Sequence, residues 1–198
     1  MEIYYFSPME KQKFNALIIS DSHGNINFLQ SIVEKAKEIA DIEQIWHLGD
    51  DYEDMDYIDF DGVVKRVPGT RHYDYHSGAL DKFLSFPFGN AEITIVHSPY
   101  DIPKFLIREK RLFFYGHLHH PNIAKSGSGL LISPGHIKYS FDRGYEASFL
   151  IARFSQTIIL RQYVYTGEFR AEALIENLEK SYELSEISGN PVGWESVK

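Results

Sequence analysis

The chain has 198 residues, a formal net charge of -8, and 43% hydrophobic and 24% charged residues. That length suits one domain with a large core, and the acidity argues against nucleic-acid polymers as partners. The absence of cysteine excludes disulfides, thiolate zinc sites and cysteine nucleophiles.

The apolar run from Phe14 to Ser20 predicts a buried strand, followed by Asp21-Ser22-His23-Gly24-Asn25. Ile26, Leu29, Ile32, Val33, Ala36, Ile39 and Ala40 repeat at three and four residues, so Asn25 to Ala40 predicts a helix capped by Asp21 or Asn25. Strands are expected at Gln44 to Leu48, which stops at Gly49-Asp50, and at Val63 to Val67, which stops at Pro68-Gly69. Leu80 to Phe86 and Ala91 to Val96 read as a hairpin closed by Pro87-Phe88-Gly89-Asn90. Ile102 to Lys110 reads as a helix with Pro103 in its first turn and Asp101 as its cap. A strand over Leu112 to Tyr115 ends at Gly116. Two more hairpins follow, Ile123 to Lys125 with Leu130 to Ile132, and Ser148 to Phe154 with Thr157 to Tyr165. Phe169 to Leu184 reads as a helix and the last dozen residues as a loose tail.

Strands alternate with helices early and hairpins dominate late, which predicts sheets inside and helices outside. The chain reads as a single domain over 1–198, with a core of about 14–165 and a C-terminal helix and tail over 169–198. The start, MEIYYFSPMEKQKF, lacks the basic and apolar segments of a secretion signal, and no run approaches the roughly 18 apolar residues of a membrane span. A cytoplasmic protein is expected.

Polar residues at strand ends carry the chemical signal. Asp21 and His23 follow the first strand, Asp50 the second, Gly69-Thr70 the third, His97 the strand ending at Val96, and His117 and His119 the strand ending at Tyr115. In helix-covered sheets, ligands collect beyond the carboxyl ends of strands. Residues two apart in extended chain point the same way, so Asp21 with His23, and His117 with His119, can each aim two donors into one crevice. Carboxylate and imidazole donors suit manganese, iron, zinc or nickel. Six such donors exceed the needs of one tetrahedral ion and suit two ions about 3.5–4 Å apart that share a carboxylate.

D-x-H, G-D, a glycine beyond the third strand, V-H-S and G-H-x-H occur here in the order of the calcineurin-like metallophosphoesterases. From about Ala16 to Ala152 the chain resembles that superfamily, especially its small bacterial and archaeal phosphodiesterases; "ISPGHIKYSFDRGYEASFLI" is similar to the family's asparagine-proline-glycine segment and last strands. The resemblance implies a four-layer αββα sandwich of two mixed sheets flanked by helices. It implies that Asp21, His23 and His119 hold one metal, that His97 and His117 hold a second, and that Asp50 bridges them and serves catalysis. It further implies attack of a metal-bridging hydroxide on a phosphate ester, a diester more than a monoester, with manganese favoured.

The pattern departs from the family at "VPGTRHYD", where Thr70 stands in the place of a metal-binding asparagine. A weaker second metal site is expected, completed by Thr70, by water, or by His72 or Asp74. Arg71 offers a planar fork for phosphate, and His72 a general acid for the leaving group. His47, His120 and His136 are expected to lie outside the site or at its margin. The acidic run "DDYEDMDYIDFDG" reads as a solvated helix and loop that repels highly anionic substrates. The expected partner is a small phosphate ester, with no membrane and with self-association open. The alternative reading is a protein-binding scaffold on the same fold, since some superfamily members have lost metal ligands.

Overall fold

The structure is a computed structural model, and it describes residues 13–89, 91–108, 111–176 and 183–189. β1 (Phe14–Ile19) is an apolar run because sheet and helix cover both of its faces; Ala16 to Ile19 are fully buried. α1 (Ile26–Ile39) starts where the Asn25 side chain accepts the Phe28 N–H, and it lays Leu29, Ile32, Val33 and Ala36 on the sheet. β2 (Gln44–His47) and β3 (Val63–Arg66) pair in parallel beside β1.

A second sheet begins with β4 (Phe83–Phe88) and β5 (Ala91–Val96), an antiparallel hairpin. Pro87 is tolerated in β4 because that strand lies at a sheet edge. β6 (Arg111–Tyr115) runs parallel to β5, and the hairpin β7 (Pro121–Ser126) and β8 (Gly129–Pro134) adds through β8. A short ribbon, β9 (Phe141–Asp142) and β10 (Tyr145–Glu146), comes next. β11 (Ser148–Phe154), β12 (Ile158–Val164), β13 (Phe169–Glu176) and β14 (Glu183–Gly189) form an antiparallel meander back to β1.

The strand orders are β14-β13-β12-β11-β1-β2-β3 and β4-β5-β6-β8-β7, so both sheets are mixed. Their inner faces meet around Trp46, whose ring lies 5.1, 5.4 and 5.0 Å from those of Phe86, Phe114 and Phe154. Each fully buried side chain of this size contributes roughly 1.5–3 kcal/mol. α1 covers the outer face of the first sheet. Ile102 and Leu106 cover Val96, Phe113 and Tyr115 on the outer face of the second.

Two helix expectations fail. Over 102–108 no α-helix forms among the described residues: a 3₁₀ turn spans Leu106–Arg108 and another, Pro99–Asp101, lies just before it; Glu109 and Lys110 lie outside the described residues. Asp101, expected as the helix cap, instead accepts the Tyr75 hydroxyl and pairs with Lys82, so it caps no helix at Ile102. The apolar spacing was still meaningful, since Ile102 and Leu106 both pack on the sheet. The segment from Phe169 is a strand: Ala171, Ala173 and Ile175 alternate into the sandwich while their neighbours face outward. Helix-favouring Ala, Glu and Leu yield there to pairing with β12. Residues 177–182 and the tail from 190 lie outside the described residues.

Candidate metal centre

The parallel strands β1, β2, β3, β5 and β6 all end at one rim, and five of the six expected ligands turn sharply there. Asp21, His23, Asp50, His117 and His119 have φ between 50° and 68°, the left-handed region that side chains rarely adopt. Backbone bonds lock the crossing: Asp21 N–H donates to Gly49 C=O at 3.0 Å, and Gly116 N–H donates to His97 C=O at 2.9 Å. Two glycines are required by close approach. A Cβ on Gly69 would lie 2.0 Å from the Asp50 amide nitrogen, and one on Gly116 would lie 1.8 Å from Ser20 Oγ.

Asp21, His23 and His119 form one triad of candidate ligands, and Asp50, His97 and His117 form another; within each, the donor atoms lie within 4.8 Å of one another. His23 Nε2 is 3.2 Å from His119 Nε2 and 3.8 Å from Asp21 Oδ1. Asp50 faces both groups: Oδ1 is 3.3 Å from His97 Nε2, and Oδ2 is 3.9 Å from His23 Nε2.

Hydrogen bonds aim these donors inward. Asp21 Oδ2 accepts Ser20 Oγ–H at 2.6 Å and His117 N–H at 3.0 Å, which leaves Oδ1 without a hydrogen-bond partner. His97 Nδ1 lies 2.8 Å from Leu48 C=O, to which it can only donate, so in the neutral ring Nε2 carries the lone pair; that atom is buried, makes no hydrogen bond and faces Asp50 Oδ1 at 3.3 Å. One orphaned polar atom in each triad, on a fully buried residue, fits a bound cation. Burial pushes the Asp21 carboxyl up, but His119, 3.2 Å from Oδ1, and the nearby His97 outweigh it and hold Asp21 well below the usual carboxylate range. Burial works against charge on His119, but Asp21 and Asp142 raise its pKa above the ordinary imidazole value.

The expected accessory residues divide. Thr70 reaches the site, with Oγ1 donating to Asp50 at 3.3 Å, and Arg71 N–H donates to Asp50 Oδ1 at 3.0 Å. The Arg71 guanidinium lies at the rim, 3.2 Å from both Asp51 Oδ2 and His23 Nδ1. His72 turns elsewhere: Nδ1 accepts the Asp74 N–H and Nε2 meets Glu53 at 3.1 Å. Both its ring nitrogens are thus engaged outside the two triads, and the general-acid expectation has no counterpart in these contacts. His120 packs its ring against Tyr145. His136 is buried and stacks on His119, 5.3 Å between centroids.

Sequence reasoning missed a supporting shell. His47 is buried with Nε2 3.0 Å from Ser22 Oγ, and Ser22 donates to Asp54 Oδ2 at 2.7 Å, which also accepts Gly24 N–H. This chain pins the turn between Asp21 and His23, so Asp54 is not part of a purely solvated acidic run. Asp142 lies 2.5 Å from His119 Nδ1 through its Oδ2, and Arg143 donates to the His117 carbonyl at 3.1 Å. The D-R-G-Y run, Asp142 to Tyr145, was the available signal.

Solved structures share this architecture. A conserved uncharacterized protein from Streptococcus pneumoniae, described as a predicted phosphoesterase, superposes with a TM-score of 0.60 at 16% identity, covering 91% of this chain and all of that one. Vacuolar Protein Sorting 29 from Cryptosporidium parvum gives 0.57 at 16% identity over 83% of this chain and 99% of that one. A hypothetical protein from Pyrococcus horikoshii gives 0.53 at 15% identity over 91% and 88%. At such identities the likeness concerns the fold alone. No curated protein matches the chain. Residues 14–157 match the Calcineurin-like phosphoesterase superfamily domain, most of the chain and all six donors, and the protein belongs to that superfamily.

Proposed function

We propose that the protein is a dinuclear metal-dependent phosphoesterase that prefers small phosphodiesters and works with manganese in the cytoplasm. The observation that carries this reading is the pair of orphaned buried ligand atoms, Asp21 Oδ1 and His97 Nε2, one in each triad. Two bound divalent cations supply charge neutralisation and an activated water for attack on an anionic ester. The chain's residues provide the frame. Asp21, His23 and His119 would hold one ion and His97 and His117 the other, with Asp50, which faces both groups, serving the pair. Thr70 and the Arg71 amide orient the Asp50 carboxylate. The exposed guanidinium of Arg71 contacts a non-reacting phosphate oxygen through its planar fork.

The test is hydrolysis of a panel of aryl and alkyl phosphodiesters and monoesters, with chelator and with each of manganese, iron, zinc and nickel. Activity on diesters that needs manganese and disappears in Asp50→Asn supports the reading. Absence of hydrolysis with every metal and ester would overturn it in favour of a binding scaffold.

A further inference from the structure

The two triads are backed differently, and the difference lies in one turn. Asp142-Arg143-Gly144-Tyr145 closes the β9–β10 ribbon, with Arg143 and Gly144 at φ 51° and 91° and Tyr145 paired to Asp142. Two successive left-handed residues mark a tight hairpin turn of the type that matches strand twist. The ribbon is anchored on both sides. His136 Nε2 donates to the Tyr145 carbonyl at 3.2 Å, and Arg143 donates to the His117 carbonyl at 3.1 Å. Asp142 is therefore delivered in a fixed position, its Oδ2 2.5 Å from His119 Nδ1 and its Oδ1 3.5 Å from Lys138 Nζ.

A carboxylate on one imidazole nitrogen fixes the proton there, points the other lone pair at the ion, and makes the ring a more basic ligand. In the other triad, His97 is backed by the neutral carbonyl of Leu48. Asp50 Oδ1 also accepts two donors, Thr70 Oγ1 and Arg71 N–H, that compete with a cation for its charge. Asp21 takes both its hydrogen-bond donors on Oδ2 and turns Oδ1 to the triad's own His119 and His23, 3.2 and 3.8 Å away.

We infer that Asp142 is a positioning residue that acts through His119 and makes the Asp21–His23–His119 triad the tighter of two unequal metal sites. This rests on the two-metal reading above. The experiment titrates metal-free protein with Mn²⁺ alone, by calorimetry, in wild type, Asp142→Ala, Asp142→Asn and, to mark the other triad, His97→Ala. Wild type should bind two ions with distinct affinities, and His97→Ala should weaken the looser one. Asp142→Ala should weaken the tighter ion by about ten- to a hundredfold, with Asp142→Asn between it and wild type, while the affinity of the looser ion stays unchanged. Wild-type affinity for the tighter ion in Asp142→Ala would overturn the inference alone. So would equal weakening of both ions together with a lowered metal-free Tm, which would mark a merely structural role. Failure of the wild type to bind Mn²⁺ at all would overturn the two-metal reading first.

Discussion

Gly69→Ala isolates the cost of crowding Asp50. Gly69 is not left-handed, so alanine meets no backbone penalty, and its Cβ would lie 2.0 Å from the Asp50 amide nitrogen and 2.2 Å from Asp50 Oδ1. Ordinary contact at about 3.4 Å requires the loop after β3 to retreat by about 1.4 Å (3.4 - 2.0). Overpacking against backbone costs about 1–3 kcal/mol. The retreat also breaks the Arg71 N–H bond to the Asp50 carboxylate, worth about 1.5–3 kcal/mol. The sum, about 4 kcal/mol, corresponds to roughly 10 °C in Tm for a chain of this size. Thermal unfolding by circular dichroism in excess chelator measures that loss, and Mn²⁺ titration should show the looser ion weakened more than the tighter. A Tm within about 2 °C of wild type with unchanged Mn²⁺ binding would refute the reasoning.

His72→Ala should leave turnover within about twofold and cost about 1 kcal/mol by removing the cap on the Tyr73–Tyr75 turn; a tenfold fall confined to poor leaving groups would restore the acid role. Burial drives the His47 pKa from its usual 6.5 down to about 3. Above pH 6.5 both folded and unfolded chains hold it neutral; below that the unfolded chain takes the proton first, so stability falls by up to about 1.4 kcal/mol per pH unit toward pH 3. Urea unfolding of His47→Gln across pH 7 to 4 should lose nearly one proton of that slope, and an unchanged slope would discount His47. Adding Mn²⁺ at about a hundredfold over its Kd should stabilise wild type by about 2.7 kcal/mol, roughly 5–10 °C in Tm, and an unmoved Tm would argue against folded-state metal binding.

The six donors were legible because each follows an apolar strand, and strand ends are where a helix-covered sheet gathers ligands. Asp142 was not, because its role arises only when a two-residue strand folds back on His119 across 23 residues. Asp54 hid among acidic neighbours, and only its two hydrogen bonds to the Ser22–Gly24 turn separate it from them. The strand from Phe169 was misread because Ala, Glu and Leu favour helix locally, while the deciding partner, β12, lies across a turn. His72 looked like a site residue by adjacency to Arg71, yet one peptide further along the ring faces Glu53.

The left-handed ligands have a consequence for which residues could replace them. At φ of 50–68° a β-branched side chain collides with its own backbone, so threonine, valine and isoleucine are closed to positions 21, 23, 50, 117 and 119. Glycine, with no Cβ, would sit there more comfortably, relieving about 1 kcal/mol at each position. A chain relieved of holding cations could therefore drift downhill in energy toward glycine. This one carries aspartate or histidine at all five, and in the metal-free state its folded form bears that conformational tension in full.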